Sequence, residues 1–163
     1  MDREQAIGAA RSFKCPRYEE LPDMWLYLEQ VLGYVNQVIA PIHSEALTGA
    51  MVNNYIKNKA VPSPVKKKYG REHMAYLIVT CLLKQVFTVQ QIAGLYEIQR
   101  ETYPLAKAYD FFCTEYENAL REAFDFTGAA LPCTESRRTE QTILIRTMVL
   151  AAANRVYVEK TYF

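Results

Sequence analysis

Residues 47–71 read LTGAMVNNYIKNKAVPSPVKKKYGR: a short helical pattern, a proline-stiffened turn and a run of three lysines in one unit. Thr48 is an N-cap residue type, and from Gly49 onward a 3.6-residue period puts Met51, Val52, Tyr55 and Ile56 on one side. Ala50, Asn53, Asn54 and Lys57 fall on the other, a face that is small, amide-rich and positive. Such a face suits a helix in a DNA major groove, where asparagine pairs bidentately with adenine, a small residue permits close approach and lysine reaches guanine or phosphate. A solvated surface helix has the same composition, so the helix alone does not decide.

The segment after it adds weight. Pro62 and Pro64 hold Val61 to Val65 extended, and Lys66-Lys67-Lys68-Tyr69 is expected to return as a second short strand, forming a two-stranded wing. Period-two alternation sends Val65 and Tyr69 one way, to anchor the ribbon, and Lys66 and Lys68 the other. Lys57, Lys59, Lys66, Lys67, Lys68 and Arg71 have Glu72 as their nearby acid. Clustered cations in a nearly neutral chain are the footprint of phosphate contact, which releases counterions and makes binding salt-dependent. A charged edge that discourages aggregation is the competing reading.

Upstream, Asp23 is an N-cap type, and Met24, Leu28, Val31, Leu32, Val35, Val38 and Ile39 have the spacing of one buried stripe, so a helix is expected from Asp23 to Ile39. Pro41 ends it and the chain turns through Ile42 to Leu47. Residues 1–20 are weakly patterned, break at Cys15-Pro16 and read as an arm without recognisable chemistry.

Downstream, Glu72 to Val86 is apolar on nearly all sides and is expected to be the buried central helix, with His73 on its surface beside the ribbon. Thr88 and Gln91 have capping-box spacing, and Phe87 can staple onto Ile92, marking the next helix start. Leu105, Tyr109, Phe112, Tyr116, Leu120 and Phe124 line one helical stripe. A Gly/Pro break at 127–132 precedes a final helix predicted over Glu135 to Val158, apolar enough to need partners on several faces, either within the chain or in a second subunit.

The totals bound the rest. The chain has 163 residues, half of them hydrophobic, and 19 Lys+Arg against 18 Asp+Glu, so affinity for nucleic acid must come from charge distribution and not from total charge. Cys15, Cys81, Cys113 and Cys133 stand far apart without a CxxC pair, and His43 and His73 have no HxxxH partner; free thiols in a reducing cytoplasm are expected, with no metal site and no cofactor. No signal-peptide core or membrane span is read. No phosphate-cradling glycine motif, metal-ligand spacing or nucleophile motif assembles a catalytic site, so the chain is expected not to be an enzyme.

The run NNYIKNKAVPSPVKKKYGREHMAYL, followed by LLKQVFTVQQI, resembles the winged helix-turn-helix of MerR-type regulators. More closely, the sequence from ELPDMWLYLEQV through this region resembles a bacterial family catalogued as domain of unknown function 1836. On the MerR similarity, Asn54 and Tyr55 occupy a tyrosine-pair position, Asn53 a preceding arginine position, and Lys67 and Tyr69 a basic-x-Tyr step. The chain departs from that pattern in its long first helix, in the eight residues before Thr48, and in asparagine where phosphate-contacting side chains usually stand.

The expectation is therefore an all-α helical bundle with an arm at 1–20, a MerR-like winged helix-turn-helix with a short two-stranded wing at 21–100, and a C-terminal helical pair at 101–163, packed on it or dimerising. The implied function is a cytoplasmic, homodimeric transcriptional regulator that binds double-stranded DNA through Ala50, Asn53, Asn54, Lys57, Lys59, Lys66, Lys67, Lys68, Tyr69 and Arg71. A non-enzymatic protein-interaction or adaptor protein that keeps the winged fold is the alternative.

Overall fold

The computed structural model describes residues 2–125 and 138–163. Within them the chain is mostly helical: α1 (Arg3–Arg11), α2 (Leu28–Ile39), α3 (Gly49–Lys57), α4 (Arg71–Leu83), α5 (Val89–Thr102), α6 (Leu105–Asp125) and α7 (Glu140–Tyr162). Two short strands, β1 (Leu26–Tyr27) and β2 (Lys68–Tyr69), pair antiparallel, with Leu26 opposite Tyr69 and Tyr27 opposite Lys68.

The hub is α4, whose residues His73 to Leu83 are all buried. A helix apolar on every side needs neighbours on every side, and α2, α5, α6 and α7 supply them. Helices α6 and α7 pack along each other, and α1 lies against both, so the N-terminal helix sits with the C-terminal pair. On α6 the expected stripe residues Tyr109, Phe112, Tyr116 and Leu120 are buried, joined by Cys113, Glu115, Glu117, Ala119 and Ala123, because this helix is covered on more than one face. Thr88 caps α5 as its spacing predicts: its hydroxyl accepts from Gln91 N at 3.1 Å, while the Gln91 side chain accepts from Thr88 N at 3.0 Å.

Polar seams fasten the N-terminal segment to α6. The Arg17 guanidinium donates to both carboxylate oxygens of Glu117, at 2.8 and 3.3 Å, and to Thr114 Oγ1 at 3.2 Å. Tyr18 N donates to Asp110 at 2.8 Å, and Tyr109 OH to the Pro16 carbonyl at 2.9 Å. On the α7 side, Arg146 pairs at 2.9 Å with Glu115, whose side chain has no exposed surface. Cys15, Cys81 and Cys113 are buried free thiols, and burial pushes the Cys81 thiol up to about 12, far from thiolate chemistry at neutral pH.

Several expectations need correction. The helix predicted from Asp23 begins at Leu28, because the backbone of Leu26 and Tyr27 is taken up by pairing with β2, and Met24 is left 64 % exposed outside the stripe. The ribbon predicted from Val61–Val65 and Lys66–Tyr69 shrinks to one bridge between Val65 and Lys68; the sheet proper joins β2 to β1, and Val65 is exposed and anchors nothing. His73, placed on the surface by its position near a helix start, is buried. Helix α4 ends at Leu83 and not at Val86: Lys84 is its C-cap, and residues 84–86 form a turn in which the Val86 amide makes a tighter i→i−3 bond to the Leu83 carbonyl. The Gly/Pro break at 127–132, Glu135 and Cys133 lie outside the described residues, but the final helix expected over Glu135 to Val158 begins at Glu140, with Thr139 extended as its N-cap, and runs on to Tyr162. No helix among the described residues is long and apolar enough to cross a membrane.

Candidate functional site

Helix α3 is held at both ends by short-range contacts. Thr48 Oγ1 accepts from Met51 N at 3.3 Å, satisfying one of the unpaired amides of the first turn. Before it, the eight-residue loop is closed by one side chain: Asn36 on α2 accepts from Leu47 N at 2.7 Å and donates to Leu47 O at 3.0 Å. Val52 and Tyr55 are buried, whereas Ala50, Asn53, Asn54 and Lys57 are exposed, as the period predicts. Asn54 is partly engaged, since Asn58 Nδ2 donates to its carbonyl at 2.8 Å and to its Oδ1 at 3.0 Å. Asn53 makes no side-chain hydrogen bond among the described residues, so its amide is available for an edge of another molecule.

The end of α3 and the turn beyond it share an unusual backbone. Lys59 follows the C-cap with φ 61°, and the amides of Ala60 and Val61 both return to the Tyr55 carbonyl. That is the left-handed position usually given to glycine. At the hairpin, Val65 and Lys68 exchange two 2.9 Å backbone hydrogen bonds, with Lys66 at φ 50° and Lys67 at φ 65° between them. A two-residue turn with both φ values positive favours Asn-Gly. Lys59, Lys66 and Lys67 are the non-glycine residues with positive φ among the described residues, and each such residue costs about 1–2 kcal/mol. All three side chains are exposed.

The other expected site residues divide. Lys68 is half-buried, with its ammonium 5.2 Å from the Tyr27 ring. Tyr69 is 4 % exposed, its ring edge-on to His73 at 5.4 Å. Arg71 is turned back toward the chain, donating to Leu21 O at 3.2 Å and pairing with Glu19 at 3.0 Å. The latter two support the turn from behind. Among the described residues none of Lys57, Lys59, Lys66, Lys67 and Lys68 joins an ion pair. Tyr55, the second residue of the tyrosine-pair position implied by the MerR resemblance, is 3 % exposed and belongs to the core.

Two supports escape the sequence. His73 Nδ1 accepts from Gly70 N at 3.0 Å, which fixes the tautomer with the proton on Nε2, and Nε2 donates to Ser63 O at 3.0 Å. One ring therefore ties the start of α4 to the proline segment that leads into the lysine turn. The i,i+3 spacing of Gly70 and His73 is a capping geometry and could have flagged the first bond; nothing local signals the second. Trp25 is 55 % exposed and lies over Gly70, where an added Cβ would meet its ring at 3.2–3.4 Å. With Met24, Tyr27 and Val65 it leaves a run of exposed apolar surface beside the lysines.

A polar cleft elsewhere is lined by His43, Glu45, Gln85, Arg155 and Glu159. His43 is buried with Nε2 unpartnered, and burial pushes its imidazole down to about 4.

A family model described as a domain of unknown function (DUF1836) matches residues 16–112, from Pro16 beside the Arg17 seam to Phe112 in α6, and so takes in the whole of α2 to α5 and both strands. No curated protein and no solved structure matches the chain. With more than half of its 163 residues covered by that match, the chain belongs to the DUF1836 family.

Proposed function

We propose that the protein is a DNA-binding transcriptional regulator, cytoplasmic and homodimeric, in which α3 is the recognition helix and the Lys66-Lys67 turn the wing of a MerR-like winged helix-turn-helix. The observation that carries this reading is the placement of Lys59, Lys66 and Lys67 at left-handed backbone positions that glycine or asparagine would fill at lower cost. Lysine at a strained, exposed turn contributes little to folding, so a demand for charge at those points explains its presence better than stability does. Asn53 and Ala50 then approach base edges while Lys57, Lys59, Lys66 and Lys67 neutralise phosphates.

Fluorescence anisotropy on a mixed-sequence duplex, read across a salt series, tests this. With four phosphates neutralised per protomer, log affinity falls against log salt with a slope of about −3.6 per protomer. Replacing Lys66 and Lys67 by Glu weakens binding at least tenfold and flattens that slope by about two. If the wild-type protein shows no salt-sensitive duplex binding at low ionic strength, the reading is abandoned.

The exposed apolar run of Met24, Trp25, Tyr27 and Val65 favours a second reading, an adaptor that docks another protein on this edge. A stoichiometric protein complex that survives nuclease and neutralisation of the wing lysines, and is lost in a Trp25→Ser/Tyr27→Ser variant, decides for it.

A further inference from the structure

Helices α4, α5, α6 and α7 do not close completely on one another. Between them lies a partly open cleft of about 70 Å³, lined by Ala75, Val79, Leu95, Ala108, Phe112 and Ile145 among others. A single water needs roughly 10–15 Å³ of such space, so the cleft has room for several heavy atoms. Methyl side chains at Ala75 and Ala108 on facing helices leave this room, in an interior that is otherwise close-packed.

Most polar atoms around the cleft are already committed; Lys107, whose ammonium lies 5.1 Å from the Tyr103 ring, and Gln141 stand among the lining residues as well. Tyr76 OH donates to Gln99 Oε1 at 3.0 Å, and Gln99 Nε2 donates to Tyr103 O at 2.8 Å. Tyr96 OH donates to Tyr76 O at 3.1 Å and lies 2.8 Å from Thr80 Oγ1, and Thr142 Oγ1 donates to Thr139 O at 3.0 Å. The surface left facing the cleft is almost entirely carbon. A polar or charged guest would give up its hydrogen bonds to water there and find few partners on the carbon-lined wall, whereas an apolar guest loses nothing and gains contacts. Water is held weakly in such a cavity for the same reason.

We infer that the cleft between α4, α5, α6 and α7 is a binding site for a small uncharged apolar molecule, about the size of one aromatic ring. The site is independent of the DNA-binding reading, since none of its lining residues belongs to α3 or to the lysine turn. It joins α4, which follows that turn directly, to the C-terminal pair, and an occupant would bridge the two.

The test is methyl NMR of the full chain titrated with toluene and with indole, alongside benzoate as a charged ring of similar shape. Toluene and indole shift the methyl signals of Ala75, Leu95, Ala108 and Ile145, with a dissociation constant on the order of 0.1–1 mM, which is what about eight buried heavy atoms deliver. Both raise Tm, and benzoate does neither. Ala108→Leu fills the cleft and abolishes the response while keeping a cooperative melt; Val79→Phe fills it from another wall and serves if the first variant fails to fold. Unshifted cleft methyls in the wild type, an equal response to benzoate, or shifts that persist in a folded filling variant would overturn the assignment.

Discussion

The surface from Thr48 to Lys68 and the seam between the N-terminal segment and α6 are both rich in polar side chains, and they use them in opposite ways. The first is built from short-range bonds, such as Thr48 to Met51 and Val65 to Lys68, and leaves Lys57, Lys59, Lys66 and Lys67 to water. The second is built from bonds that span about a hundred residues, such as Cys15 N to Glu117 and Tyr18 N to Asp110, and buries the Glu117 carboxylate at its centre. A polar group left in water is free to meet another molecule and adds little to stability; one that is buried and paired costs a great deal when its partner is removed. The contrast thus separates residues left open to contact from residues that fix the register of the chain.

The largest effect is expected in the seam. Arg17→Ala strands the Glu117 carboxylate, whose side chain is 4 % exposed, with the Cys15 amide as its remaining donor. A loss of about 3 kcal/mol follows, the low end for a buried pair because Arg17 itself is 30 % exposed. Replacing both partners by Leu should recover most of that loss, and urea denaturation of the single and double variants measures it. A single-variant cost below about 1 kcal/mol would show that the seam is no stronger than a surface pair.

Acid probes the buried face without mutation. The unfolded imidazole of His43 takes up a proton near pH 6.5, and the folded one near pH 4. Between those values the unfolded chain holds more protons, so stability drops as the pH falls from about 6.5 to about 4, by up to about 3 kcal/mol, and His43 has no effect above pH 7. A His43→Gln variant should lack this part of the pH dependence, which denaturation at pH 7, 5.5 and 4.5 would reveal.

His73→Ala lies between the two regions. It removes bonds to Gly70 N and Ser63 O and should cost about 2 kcal/mol. Its sharper consequence is on the surface: with every lysine retained, duplex affinity should still fall, because the segment that presents Lys66 and Lys67 is no longer tied to α4. Undiminished affinity at a temperature where the variant is folded would mean that the turn needs no support.

The smallest effect on stability has the opposite sign. Lys66→Asn with Lys67→Gly relieves two left-handed lysines; less the residual strain at Asn and the entropy Gly adds to the unfolded chain, it should stabilise the fold by about 1 kcal/mol, while weakening duplex binding about tenfold. Stability and binding moving in opposite directions is the signature of residues retained for contact. If both rise or both fall, the distinction between the regions fails at this turn.

What the sequence revealed follows the same division. The two faces of α3, the Thr48 and Thr88 caps and the aromatic stripe of α6 are set by neighbours three or four residues away, and all were readable. Leu26 and Tyr27 sit within a convincing helical period, yet tertiary pairing with β2 pulls them into a strand. The Arg17 to Glu117 pair and the bond from His73 to Ser63 have no periodic trace, since their partners meet only after folding. The positive φ values of the lysines were hidden for another reason: lysine gives no hint of a left-handed backbone, and glycine, which does, is missing from those positions.

The Asn36 clip has a practical corollary. Because one carboxamide fastens Leu47 to α2, the tip of the loop contributes little to holding α3, and Ser44, Glu45 and Ala46 all face solvent. A short Gly/Ser peptide or an epitope tag inserted after Glu45 lengthens a loop that is already closed, at a cost that grows only with the logarithm of its length. That makes the loop tip an attachment point for a fluorophore, from which α3 can be watched during titration without altering a residue on its outer face.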